Sequence, residues 1–287
     1  MNPNLDAARG LVETRIDSLK PFPQIILDII AVLDDEDANA NFLVDHLHRD
    51  PVLSGRLLGL ANTAANKLPS QRTVTDVNSA VAMLGFSRIR TLATTLTLRD
   101  AFASVTPAQM ADQFWGHSVD VGTAAKVIAE HAGLKPDVAY IAGLLHDIGV
   151  LWIATNFPLE FAQMSALLEG PEHHIIGLER KMIGADHASI GAVLAEIWGL
   201  PEKIGLPIAG HHNPDDIPPS PYVMCVHLAE MACNSLELGK RSRSIVSYLS
   251  EQTLPLLNLE WSQVPNLLGE IEARARFMRA FTGISSN

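Results

Sequence analysis

The 287 residues carry 32 acidic against 21 basic side chains, a formal net charge of −11, and 47% hydrophobic residues. This is globular rather than disordered composition, with enough apolar material for a sizeable core. The acidic balance argues against a dedicated duplex-DNA reader, which needs a concentrated basic face.

The first residues, MNPNLDAARG, lack a cationic segment followed by an apolar run. No signal peptide is therefore expected, and the expected compartment is cytoplasmic. QIILDIIAVLD (24–34) places Ile25, Ile26, Ile29, Ile30 and Leu33 on one helical stripe, after Pro21 and Pro23. DPVLSGRLLGLAN (50–62) opens with Asp50 as N-cap and Pro51 at the first helical position. AVAMLGFSRIRTLA (80–93) reads as two helical pieces hinged near Gly85, and its Arg88 and Arg90, with Arg99, read as a solvated face.

Thr106 and Pro107 signal another start, and residues 117–132 continue as a helix ending at Gly133. HASIGAVLAEIWGLP (187–201) has Asp186 as cap and Gly199 with Pro201 as stop. Residues 221–238 form an apolar helix carrying Cys225 and Cys233, which lack CxxC spacing and read as small buried hydrophobes. The last helix, 264–281, has Glu270 and Glu272 early and Arg274, Arg276 and Arg279 late, an order that suits the helix dipole. With no strand pattern, the expectation is an all-α, two-lobed protein. Neither apolar stretch, 25–33 or 140–154, reads as a bilayer span: the first is too short and the second contains His146 and Asp147.

The sharpest chemical feature is GLLHDIGV (143–150), an adjacent His146–Asp147 pair inside what reads as an apolar helix. An ionised carboxylate there is costly unless a cation or strong donors compensate it, and a divalent metal would do so. His117, His187 and the doublet His211–His212 fall at the ends of neighbouring apolar helices. Each has a plainer reading. His117 suits a helix cap, His187 a partly solvated first turn, His211 and His212 a helix C-terminus, and Glu230 a pairing with His227 on one face. His46, His48, His131, His173, His174 and His227 read as structural or surface residues, and Trp115 and Trp198 as wall packing.

The order His117, His146–Asp147, His187, His211–His212 resembles the HD superfamily of metal-dependent phosphohydrolases. In His227-Leu228-Ala229-Glu230, Glu230 stands where that superfamily usually has an aspartate. The stretches 19–33, 50–64, 80–93, 143–150 and 187–201 narrow the resemblance to the HDOD group, over roughly residues 15–235.

The resemblance implies an N-terminal helical lobe (15–105), an HD-like lobe (106–240) and a C-terminal helical extension (241–287). It implies a bacterial signalling module with one or two divalent ions, Fe, Mn, Zn, Ni or Co rather than Mg. His117, His146 and Glu230 would hold one ion, His187, His211 and His212 the other, and Asp147 both. In an active phosphohydrolase His146 and Asp147 would be catalytic. Cyclic-di-GMP hydrolysis of the HD-GYP type is not expected, because Val150 replaces the usual lysine and NPDDIPPSP (213–221) lacks Gly-Tyr-Pro. The expected partners are signalling proteins or a phosphate-containing small molecule, met non-covalently, with neither duplex nucleic acid nor membrane.

Overall fold

Cap residues, prolines and glycines mark several of the helix boundaries. The computed structural model describes residues 3–31, 33, 36–65, 73–167, 175–238 and 248–282, and every regular element among them is helical. Val32 and Asp34 of the expected helical stretch 24–34, and His173 and His174, lie outside the described residues.

α1 (Pro3–Glu13) is followed by α2 (Gln24–Ala31), which buries Ile26, Ile29 and Ile30. α3 (Glu36–Arg49) ends beside Asp50, whose Oδ1 accepts from the N–H groups of Val52 and Leu53 at 3.0 and 2.9 Å and so caps α4 (Pro51–Ala65). α5 (Val77–Leu84) stops at Gly85, and α6 (Phe86–Phe102) resumes at once. Gly85 has a φ of 84°, a conformation that residues with a Cβ rarely adopt, and this makes the hinge.

The chain then forms α7 (Ala108–Ala132), α8 (Pro136–Leu145), α9 (Ile148–Asn156), α10 (Pro158–Leu167) and α11 (Ile175–Ile183). α12 (His187–Ile197), α13 (Glu202–Gly210), α14 (Pro221–Ser235), α15 (Thr253–Leu256) and α16 (Val264–Thr282) complete it. Two compact units result, one of Phe22–Ala101 and one of Met1–Pro21 with Phe102–Asn287. Both chain ends therefore belong to the larger unit, where α1 packs on α12 and α16 on α7.

α7 is the central helix of the larger unit, packed by α8, α14 and α16. Two glycine contacts let backbones meet there. A Cβ on Gly143 would lie 2.9 Å from the Gly122 Cα, and a Cβ on Gly149 would lie 2.0 Å from the His187 carbonyl oxygen. Cys225 and Cys233 are buried free thiols on α14. Pro136–Asn156 is apolar and long enough to cross a membrane, but it is mostly buried inside the protein.

Candidate metal centre

α8 ends at Leu145, His146 and Asp147 form a turn, and α9 begins at Ile148. The expected single helix through this pair is thus broken. Adjacent side chains on a continuous helix diverge by about 100°. The break instead brings His146 Nε2 to 3.3 Å from Asp147 Oδ2. His117 also departs from expectation, because α7 starts at Ala108 and places it in the third turn rather than at the helix start. His187 is the first residue of α12, held by the Asp186 cap, whose Oδ1 accepts from the Ser189 N–H at 2.8 Å. His211 and His212 follow the last residue of α13, as the doublet suggested.

The seven expected side chains come together in two groups. Asp147, His187, His211 and His212 form one, and His117, His146 and Glu230 the other, each with its donor atoms within 4.8 Å of one another. Asp147 joins them. Its Oδ1 lies 3.3 Å from His187 Nε2 and 3.4 Å from His211 Nε2, while its Oδ2 faces His146 at 3.3 Å and His117 at 3.7 Å. Glu230 reaches the centre despite its longer arm, with Oε2 3.0 Å from His117 Nε2 and 3.5 Å from His146 Nε2. Its pairing is therefore with His117 rather than with His227.

The ring orientations of His146, His187 and His211 follow from the second nitrogen of each. His146 Nδ1 donates to the Gly143 carbonyl at 2.7 Å and His211 Nδ1 to the Ile208 carbonyl at 2.9 Å. His187 Nδ1 donates to Glu179 Oε2 at 2.7 Å, and the same oxygen accepts from the His187 backbone N–H at 2.9 Å. These acceptors place the neutral-form proton on Nδ1, so the Nε2 lone pairs face inward, as metal-ligating histidines require.

The donor set fits a pair of cations. His117 Nε2, His146 Nε2, Asp147 Oδ1 and Glu230 Oε2 are buried and near oppositely charged groups, yet make no hydrogen bond of proper geometry. His187 and His212 bring their Nε2 atoms to 3.0 Å, which two lone pairs do not tolerate without a proton or cation between them.

Burial opposes the His117 imidazolium, but the Glu230 carboxylate outweighs it and lifts His117 to about 9. Burial likewise opposes charge on His187, yet Glu179 and Asp147 raise it well above the ordinary histidine value. Burial and the neighbouring imidazoles His211 and His187 push His212 well down. Asp147 is held well below the usual carboxylate range, because His146, His187 and His211 overcome its burial.

Without metal, His117, lifted to about 9, favours its protonated form at neutral pH, and a bound cation displaces that proton; the direction of the shift at His187 is the same. Metal uptake at pH 7 should release protons, the His117 proton among them, and affinity should rise as pH increases toward 9. Calorimetry in two buffers of different ionisation enthalpy checks this, and uptake without proton release would contradict it.

Two supporting residues escaped the sequence reading. Glu179, 2% exposed on α11, steers His187 as described. His227, read as structural or surface, is fully buried and donates from Nδ1 to the His211 carbonyl at 2.7 Å. Glu179→Ala should weaken metal affinity about 10–100-fold, with Glu179→Gln in between, measured by competition with a chromophoric chelator. Trp198, expected in the site wall, instead donates to the Lys20 carbonyl at 3.1 Å and packs on Phe102.

Residues 19–214 match the HDOD domain family. The chain belongs to the HDOD family. An HDOD domain protein of unknown function from Geobacter sulfurreducens is similar in structure, with a TM-score of 0.76 and 27% identity, over 94% of this chain and 97% of that one. A Shewanella amazonensis SB2B protein, provisionally named a phosphohydrolase, has a TM-score of 0.70 and 25% identity over the same shares.

Among curated proteins, an uncharacterized Treponema pallidum (strain Nichols) protein is 27% identical over 85% of this chain and 49% of its own length. Ribonuclease Y of Lactobacillus gasseri is 30% identical over 46% of this chain and 19% of its own length. The chain thus spans about half of the first relative and about a fifth of the second. The HDOD match stops before α14, so Glu230 and His227 lie beyond it.

Proposed function

We propose that this HDOD chain is a bacterial signalling module whose larger unit holds two divalent transition-metal ions around Asp147. The observation behind this reading is the two-sided carboxylate, one oxygen facing His187 and His211 and the other facing His146 and His117. His117, His146 and Glu230 would hold one ion, His187, His211 and His212 the other, with Asp147 shared. Such an imidazole-rich set favours Fe, Mn, Zn, Ni or Co over Mg. Bound ions supply Lewis-acid polarisation of a phosphoryl group. The chain's own contribution is to fix the ring orientations through Gly143, Ile208 and Glu179 and to shield the donors from water. Its partners on this reading are signalling proteins or a phosphate-bearing small molecule.

A second reading, an active metal-dependent phosphohydrolase acting on a phosphate ester or nucleotide, is favoured by one observation. The His117 and Asp147 side chains are 13% and 10% exposed at the edge the two groups share, although His117 Nε2 and Asp147 Oδ1 themselves are buried. The deciding experiment uses protein purified without chelators or a polyhistidine tag, assayed for metal and for hydrolysis of bis-p-nitrophenyl phosphate and nucleotides. One or two ions without turnover supports the signalling module. Turnover lost in Asp147→Ala supports the enzyme. No metal after reconstitution with iron and manganese overturns both.

A further inference from the structure

Asp120 sits three residues after His117 on α7 and is completely buried. A buried carboxylate needs a compensating charge. Arg279, near the end of α16, supplies it: Nε donates to Asp120 Oδ1 at 2.8 Å, and Nη2 reaches Oδ2. The same helix is tied to α7 twice more, by Glu270 to His131 at 2.9 Å and by Arg274 to Glu130 at 2.7 Å. Those two ties are partly exposed and individually weak. The Arg279 pair is different, with its arginine 12% and its aspartate 0% exposed. Besides Arg279, the cationic partner acting on the Asp120 carboxylate is the His117 imidazole.

Resting on the two-metal reading above, we infer that Arg279 is a positioning residue. It occupies the Asp120 carboxylate and so leaves His117 free to turn toward Asp147 and Glu230. A fixed carboxylate one turn along α7 and a cation in the centre would claim the same imidazole, and Arg279 removes the first claimant. α16 lies outside the residues matched by the family, so this control belongs to the chain's own C-terminal helix. It predicts a selective effect. Losing Arg279 while keeping Asp120 cripples the His117–His146–Glu230 group and spares the His187–His211–His212 group.

The test titrates Zn2+ into wild type, Arg279→Gln, Asp120→Asn and the double variant, with imidazole ring nitrogens followed by NMR. In wild type the rings of both groups should shift. In Arg279→Gln the His187 and His211 nitrogens should shift as before, while His117 requires about 10–100-fold more Zn2+. Asp120→Asn alone should respond at His117 like wild type, and adding it to Arg279→Gln should restore the wild-type response there, which a merely structural staple would not. Equal loss at both groups in Arg279→Gln, no change there, or failure of the double variant to restore His117 overturns the inference alone. Wild-type rings that do not respond to Zn2+ overturn the metal reading and this inference with it. Thermal melts of all four proteins separate a folding defect from a metal-site defect.

Discussion

Asp147→Ala should leave the protein with no bound metal, whereas wild type carries up to two ions when measured by elemental analysis after purification without chelators. Asp147 is the residue whose two oxygens face both ligand groups, Oδ1 toward His187 and His211, Oδ2 toward His146 and His117. Removing it takes a ligand from each ion and the negative charge that offsets two cations in a buried space. On the His187, His211 and His212 side the remaining donors are imidazoles alone, with no carboxylate to offset a cation. Asp147→Asn should behave nearly as badly, since it keeps the shape and loses the charge. A variant that retained one ion at full occupancy would show that the two groups work independently and that Asp147 is not shared.

The second large effect concerns backbone rather than a donor. Gly149→Ala puts a methyl group 2.0 Å from the His187 carbonyl oxygen and 3.0 Å from the Gly191 nitrogen. Both obstacles are main chain of α12, so no side-chain rotation relieves them, and α9 must move away from α12. The cost should be about 3 kcal/mol, the upper end of ordinary overpacking. In a unit of this size that lowers Tm by roughly 6–12 °C. The shift should also separate Asp147 from His187, because each stands at the start of one of the two helices, and metal affinity should fall with stability. Gly269→Ala is the control. Its Cβ would meet nothing within 4 Å on α16, so removing a helix-interior glycine should stabilise the protein by about 0.5–1 kcal/mol. Parallel thermal melts decide both expectations, and equal melting temperatures for Gly149→Ala and wild type would refute the first.

Local chemistry made much of this architecture legible in advance. The Asp50 cap, the Gly85 hinge, the Asp186 cap and the end of α13 at the histidine doublet follow from rules that act over one helical turn. The seven candidate ligands were legible because their order along the chain matched a known pattern, and Glu230 was included although it departs from that pattern.

What stayed hidden depended on neighbours distant in sequence. Residues 140–154 are apolar without interruption except at His146 and Asp147, so periodicity alone carried a helix straight through the turn. Glu179 gave no signal, because a single acid in α11 looks like any solvated charge until α12 is laid against it. Arg279 read as a residue suited to the helix dipole, whereas its guanidinium is committed to Asp120, 159 residues away. His227 looked like a partner for Glu230 three residues along the same helix, whereas the group it serves is the His211 backbone carbonyl.

The position of α14 and α16 outside the matched residues has a practical consequence for dissecting the molecule. A fragment cut at residue 214 would keep every histidine of the centre and yet lack Glu230. It would also strip α7 of two of the helices that cover it, and with α16 gone the buried Asp120 would lose its Arg279 partner. Such a fragment should aggregate, and a failure to bind metal would reflect the cut rather than the chemistry of the family. The smallest piece that can be judged fairly runs through Thr282, so the family boundary and the physical boundary of the folded unit are different places on this chain.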